Sequence, residues 1–158
     1  MSAPAPATEA QSTTRALALW GTLLIAALYI VGIESHGILR HIVQTVPVWP
    51  SVVLALRGSE WSKWTALPCF LFWFSLMALI WLFLLGWAHI VSGNFTAIET
   101  ALTLLVGFSS VVGTVVALRT KTHVRAIGAS ATFFGMLIIQ ILALRISLLP
   151  AIAHDRWR

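Results

Sequence analysis

The densest group of polar side chains in this sequence follows its first long apolar stretch. It consists of Glu34, His36, Arg40, His41 and Gln44. In a helix, His36, Arg40 and Gln44 recur every four residues and share one face. His36 and His41 would lie about 140° apart around the helix axis, which is unsuitable for joint chelation of a metal. We interpret the group as an interfacial anchor on lipid phosphates. The alternative is a binding site for an anionic headgroup, a quinone head or a partner protein.

Two more titratable side chains flank a short loop farther along the chain. Glu99 could carry a proton, but Thr96 and Glu99 have the spacing of a capping box, in which the two side chains satisfy each other's backbone amides. We therefore expect Glu99 to cap a helix. His89 ends the preceding apolar stretch, where the helix dipole favours a histidine. Because two ligands are too few for a stable zinc or iron site, this pair predicts no metal centre.

Gln140 is the polar residue near the middle of the last long apolar stretch. Polar groups inside a membrane are costly, so each one is a functional candidate. The amide needs a partner, and we expect a hydroxyl on a neighbouring helix, such as that of Thr103 or Ser110. Hydrogen bonds of this kind contribute about 0.6–2 kcal/mol. We favour this structural role over a contact with a substrate.

Other chemistry has little support in the sequence. Cys69 is the single cysteine, which excludes an intramolecular disulfide and a cysteine-based metal cluster. We find no glycine-rich phosphate loop and no plausible nucleophilic triad. The Lys and Arg residues are scattered between apolar runs and form no stripe that would follow a nucleic acid. We therefore predict no cofactor, no metal and no nucleic-acid partner.

Aromatic residues concentrate in the longest apolar stretch of the chain. Trp73, Met77 and Trp81 recur at four-residue spacing and fall on one helical face. One interpretation is an aromatic wall for a quinone, a carotenoid or a lipid tail. We favour the other interpretation, a helix whose aromatic side chains face lipid or fill the core.

The composition places all these residues in a membrane. Only 9% of the residues are charged and 59% are hydrophobic, whereas a soluble globular domain is about 25% charged. Spans of about 20 apolar residues cross the hydrocarbon core, and four stretches qualify, at about 16–33, 64–88, 98–118 and 126–148. They must be helices, because a strand crossing alone would leave its amides unpaired in lipid. The sequence thus predicts an all-α integral membrane protein with four spans.

The segment at about 35–58 is harder to assign. Its apolar part is short for a span and contains Pro47 and Pro50. Proline removes a backbone donor, so we expect Pro47 to end or kink the helix. We favour an amphipathic or re-entrant segment at the interface, and five spans are the alternative. The choice matters because five spans place Arg40 on the same membrane face as Glu99, whereas four place them on opposite faces.

Charge predicts orientation, and composition predicts the ends of the domain. Short loops rich in Lys and Arg lie in the cytoplasm, which in either arrangement places the loop Arg119–Arg125 there. We expect a bacterial inner membrane, since no organelle-targeting signal stands out. Residues 15–150 form one polytopic domain, after a disordered lead-in, 1–14, and before a short basic tail, 151–158. The first span lacks the basic flank of a signal peptide, so we expect it to be retained.

Two predicted spans carry stripes of small residues. In lipid, helix association depends on close packing of such residues. One stripe is in the third long span and the other is in the fourth: Ser109, Gly113 and Ala117; Gly128, Ala131 and Gly135. Because the intervening loop is short, we expect these two helices to be antiparallel neighbours that pack through the two stripes.

Three functional hypotheses follow. We favour a non-catalytic accessory or assembly subunit that packs against lipid and against other membrane proteins or itself, because the spans hold so few ionisable groups. The second is a small transporter or channel component that acts as an oligomer, with a pore lined by Ser109, Ser110, Thr114 and Gln140. The third is an interfacial enzyme acting on lipid or quinone through His36, Arg40, His41, His89 and Glu99, which requires five spans.

Overall fold

The computed structural model describes residues 6–88 and 95–153, and over these residues the chain is built from helices joined by turns and short loops. The helices are α1 (Pro6–Glu34), α2 (Ile38–Thr45), α3 (Val48–Leu56), α4 (Trp61–Leu84), α5 (Ala97–Arg119), α6 (Ala126–Ser147) and α7 (Pro150–Ala153). Four of them, α1, α4, α5 and α6, are long and apolar enough to cross a membrane. The prediction of an all-α membrane protein is confirmed.

The first helix, α1, begins at Pro6, within the stretch 1–14 for which the sequence predicts a disordered lead-in. Proline suits the first turn of a helix, where its missing N–H has no intrahelical acceptor. The Ala, Glu and Gln residues that follow also favour helix. Thr14 is buried, so this part of α1 packs against the bundle. Residues 1–5, like residues 154–158 of the predicted basic tail, lie outside the described residues.

The segment between α1 and α4 forms a broken helix, α2 followed by α3, with a bend of 54°. Pro47 precedes the first residue of α3, as expected for a residue that lacks the donor needed to continue α2. The predicted kink at Pro47 is confirmed.

Glycines of α1 show the direction of the broken pair. A Cβ on Gly32 would lie 3.1 Å from the Cβ of His41, and one on Gly21 would lie 2.8 Å from Val52. The pair therefore descends antiparallel to α1 from its C-terminal end towards its N-terminal end. This packing agrees with the five-pass alternative, and the described residues hold four helices long enough to span a membrane, or five spans if the bent pair is one of them.

The side chains of α2 show which of its faces points into the bundle. His41 and Gln44 are buried, whereas Leu39, Ile42 and Val46 are 41%, 41% and 56% exposed. An interfacial helix would turn its polar face to water. Here the polar face points into the bundle and the apolar face points outward, as expected for a helix surrounded by lipid.

The two ends of the bundle have different chemistry. At one end, the Lys63 Nζ donates to the Thr120 carbonyl oxygen at 2.8 Å, and the His123 amide donates to the Glu60 carboxylate at 3.0 Å. These bonds join the start of α4 to the α5–α6 loop. We call it the basic end, because it collects Arg15, Arg57, Lys63, Arg119, Lys121 and Arg125. At the opposite end, α1 and α6 finish and α2 and α5 begin.

The predicted pairing of α5 with α6 through small-residue stripes is wrong. α5 packs against α1 and α4, while α6 packs against α2 and α4. A Cβ on Gly113 would lie 2.5 Å from the ring of Phe70, and one on Gly128 would lie 3.1 Å from Trp61. Large rings of α4 thus occupy the spaces that these glycines leave.

The remaining members of the two stripes have different surroundings. Ser109 and Ala117 of α5 are fully buried. Ala131 is exposed, and no atom beyond its own helix lies within 4 Å of a Cβ built on Gly135. The α6 stripe therefore faces away from the bundle over half of its length.

Candidate functional site

Five helices enclose a cavity at the end opposite the basic end. Its volume is about 380 Å³, which lies in the range of small-ligand sites. The wall is mostly apolar, with contributions from α1, α2, α4, α5 and α6. Its polar lining consists of Ser35, Arg40, His41, Gln44, Glu99 and Thr103. The site therefore combines an apolar body with a few polar groups.

The structure brings together four of the seven polar residues singled out in the sequence: Arg40, His41 and Gln44 from α2, and Glu99 from α5. This agrees with the five-pass arrangement, in which the α2 group and Glu99 share one membrane face. Gln140 is buried outside this lining, and His89 lies outside the described residues.

His36 does not share the α2 face as predicted. It precedes α2 and adopts a left-handed backbone conformation, with φ of 54°. The amide of His36 donates to the Ile33 carbonyl at 3.2 Å and that of Gly37 donates to the Gly32 carbonyl at 2.8 Å. These two bonds form a Schellman cap at the end of α1, a position that favours glycine. The exposed His36 side chain stays outside the cavity.

Arg40 lines the cavity without a protein partner. Its Nε is buried and has no hydrogen-bond acceptor among the described residues. Arginine stays charged at any physiological pH and offers five donors in a planar fork. A partly buried guanidinium without a carboxylate beside it is costly. Arg40 is therefore available to an acceptor that enters the cavity.

His41 is held in a defined orientation beside Arg40. The Nδ1 of His41 lies 3.0 Å from the carbonyl oxygen of Gly37. Since a carbonyl oxygen only accepts, Nδ1 carries the proton. The Nε2 atom has no hydrogen-bond partner among the described residues. It can accept a bond when the ring is neutral and donate one when the ring is charged.

Gln44 joins the cavity wall to α6. The Nε2 of Gln44 donates to the hydroxyl of Ser147 at 2.9 Å, and the Nε2 of Gln140 donates to the backbone oxygen of Gln44 at 3.0 Å. The partner of Gln140 is thus a carbonyl of the broken helix, and the expected hydroxyls of Thr103 and Ser110 bond to carbonyls within α5. Gln140 has a structural role in this arrangement.

Glu99 both caps α5 and faces the cavity. Its carboxylate accepts from the Thr96 amide at 2.8 Å, and the Glu99 amide donates to the Thr96 hydroxyl at 3.1 Å. The predicted capping box is confirmed. Only Oε2 takes part in this bond, so Oε1 remains available. No ion pair joins Glu99 to Arg40, although both line one cavity within the described part of the chain.

Trp73 and Met77 of α4 form part of the cavity wall. Both are buried, and the Trp73 indole N–H has no acceptor among the described residues. Their spacing in the sequence predicts a common helical face, for which packing against lipid or core is the favoured interpretation. The signal was present in their spacing, but it could not show that α2 and α5 leave a space opposite this face.

The cavity lining offers several groups that can recognise a ligand. Over the residues that the structure describes, no group of three or more His, Cys, Asp or Glu residues is placed to hold a metal ion. Cys69, the only thiol, is fully buried with its sulfur 3.7 Å from the Pro47 carbonyl oxygen, away from the cavity. The site supplies a cation, a carboxylate, an imidazole and an apolar wall, which suit the binding of an amphiphile.

The residues considered for a pore do not gather around this cavity. Ser109, Ser110, Thr114 and Gln140 are all absent from its lining. The hydroxyls of Ser110 and Thr114 donate to carbonyl oxygens within α5. Gln140 bonds to α2.

Comparison of the chain with protein-family models, with curated proteins and with solved structures finds no match.

Proposed function

We propose that this protein is a non-catalytic membrane protein that binds the polar head of a membrane amphiphile in the cavity between α1, α2, α4, α5 and α6. One observation carries the proposal: Arg40 and Glu99 face the same cavity without forming an ion pair. Charged groups at membrane depth are costly unless they are paired or hydrated. A bound polar head supplies the missing partners.

The rest of the lining supports an amphiphile over a purely polar ligand. Leu28, Met77 and Val106 lie deeper along their helices than Ser35 and Glu99, so the wall becomes apolar towards the membrane centre. A molecule with a polar head at the membrane surface and an apolar tail fits this gradient. Lipids and quinones both have this form.

Retention of an amphiphile through purification tests the proposal. The full chain is extracted in a mild detergent, and bound lipid or quinone is measured by native mass spectrometry. Thr103→Phe places a ring in the cavity, whereas Leu104→Phe, at a side chain 56% exposed on the outer face, is the matched control. We expect Thr103→Phe to lower the bound fraction at least tenfold and Leu104→Phe to leave it unchanged. Equal retention by wild type and both variants contradicts the proposal, as does a wild type that retains nothing.

We also propose a bacterial inner membrane as the location, with the loop Arg119–Arg125 in the cytoplasm. The basic end holds six of the eight Lys and Arg residues in the described part of the chain, and such loops favour the cytoplasmic side. The cavity then opens on the opposite face. Protease protection of a tag inserted in this loop, in intact cells, tests the orientation.

A second candidate function is an accessory or assembly subunit that packs against another membrane protein or a second copy through α6. The supporting observation is the outward face of α6, where Ala131 is exposed and the space beside Gly135 is open. Small residues allow a helix of a partner to approach closely. Disulfide or photo-crosslinking from position 135 in native membranes, with Phe134 as the neighbouring control position, tests it. Capture of lipid alone contradicts it.

A further inference from the structure

We infer that the head bound in the cavity is zwitterionic, with its anionic group on Arg40 and its ammonium group on Glu99. This inference rests on the proposed function and specifies the ligand of that site. A lipid whose head joins a phosphate to a primary ammonium has this chemistry.

The guanidinium of Arg40 is the partner of the anionic group. A guanidinium binds phosphate through two parallel N–H bonds, which are short and strong because both partners are charged. Arg40 has no carboxylate partner that would compete for these donors in the described residues, and its Nε is already shielded from water.

The carboxylate of Glu99 is the partner of the ammonium group. The capping bond to the Thr96 amide uses Oε2 and fixes the direction of the carboxylate. The second oxygen, Oε1, is the one that can accept from a ligand. A carboxylate in this position repels a ligand that carries only negative charge, and it attracts one that places an ammonium beside it.

The separation of the Arg40 and Glu99 charges selects a ligand that carries one negative and one positive group. Arg40 lies on α2 and Glu99 on α5, and they face one cavity without touching. An anionic lipid would pair with Arg40 but would place its negative charge near the negatively charged Glu99 carboxylate. A quinone would leave both charges without a counter-ion. A zwitterion compensates both, because its anionic group is an acceptor for the buried Arg40 Nε and its ammonium group is a donor to the Glu99 Oε1.

Competition among four amphiphiles tests the inference. The delipidated full chain in detergent is titrated with phosphatidylethanolamine, phosphatidylcholine, phosphatidylglycerol or ubiquinone, and occupancy is measured by native mass spectrometry. We expect phosphatidylethanolamine to bind at least tenfold more tightly than phosphatidylglycerol or ubiquinone. Phosphatidylcholine, whose quaternary ammonium has no N–H donor, should bind less tightly than phosphatidylethanolamine.

Two variants assign the charges to their residues. Glu99→Gln should abolish the preference for phosphatidylethanolamine over phosphatidylglycerol, because it removes the repulsion of the anionic lipid. Arg40→Gln should weaken both lipids by about tenfold, because each has a phosphate. Glu60→Gln and Arg57→Gln, which carry the same changes at the basic end, should alter neither affinity. Elution of each variant as the same monodisperse peak as wild type establishes that it is folded.

The outcomes separate this inference from the proposed function. Equal or tighter binding of phosphatidylglycerol or ubiquinone, or a preference that survives Glu99→Gln, overturns the zwitterion and leaves an amphiphile site. Failure of all four amphiphiles to bind overturns both. Binding of soluble glycerophosphoethanolamine as tightly as the lipid upholds the zwitterion and overturns the need for a membrane tail.

Discussion

Gln140 of α6 donates to the backbone oxygen of Gln44 at 3.0 Å, at the point where the broken helix changes direction. The next helix, α3, starts at Val48, after Pro47. The Val48 amide does not donate to the Gln44 carbonyl oxygen, as it would in a continuous helix. A carbonyl without a partner inside lipid costs several kcal/mol. The side chain of Gln140 therefore satisfies the acceptor that the proline break releases.

This relationship predicts the stability of a Gln140 variant. Gln140→Leu leaves the Gln44 carbonyl unpaired but also removes the Gln140 Oε1, which is buried without a hydrogen-bond partner, so the free energy of unfolding should fall by only about 1 kcal/mol. Unfolding of the detergent-solubilised protein with increasing sodium dodecyl sulfate measures it. Ile139→Leu, at a side chain 48% exposed, is the control and should be neutral. A Gln140→Leu protein as stable as wild type would show that the bond does not stabilise the break.

The surroundings of Gly113 in α5 and of Gly135 in α6 predict opposite effects on stability when each glycine is replaced by alanine. Gly113→Ala places a methyl group 2.5 Å from the Phe70 ring, whereas Gly135→Ala meets no atom within 4 Å. Overpacking costs about 1–3 kcal/mol, while alanine in place of an unpacked helical glycine stabilises by about 0.5–1 kcal/mol. Thermal unfolding in detergent should place Gly113→Ala below wild type and Gly135→Ala above it. The double variant Gly113→Ala/Phe70→Leu should recover part of the loss.

The cap of α1 predicts that His36 is a strained residue. Its φ of 54° is in the left-handed region, where a side chain costs roughly 1–2 kcal/mol relative to glycine. His36→Gly should therefore raise the stability of the protein by about 1 kcal/mol, and His36→Ala should not. Because His36 is outside the cavity, lipid occupancy should stay unchanged in both. Loss of lipid from His36→Gly would place this residue in the binding site after all.

The path of the broken helix predicts that its two ends lie on opposite faces of the membrane. In a Cys69→Ala background, single cysteines at Ser35 and Ser59 flank α2 and α3. An impermeant maleimide should label one of them in sealed vesicles and the other only after the membrane is opened. Labelling of both from the same side would contradict five passes. Cysteine at Ile127, which is 87% exposed and lies near the basic end, reports on the side of Ser59.

The number of passes shows why the sequence alone was insufficient. The polar and apolar faces of α2 are visible in the sequence, and both an interfacial helix and a membrane-embedded one produce this pattern. The difference is which face points inward, and that depends on α1 and α6. His41 and Gln44 are buried because these helices pack against α2.

The local features were determined by the sequence by itself, since each depends on residues close together in the chain. They include the long apolar helices, the kink at Pro47 and the capping box of Thr96 and Glu99. The tertiary structure decided the rest. The packing of Phe70 beside Gly113, the acceptor of Gln140, and the placement of Arg40 and Glu99 around one cavity all depend on segments that are distant in the sequence. In lipid many apolar faces can pack equally well, so only the complete arrangement of helices selects among them.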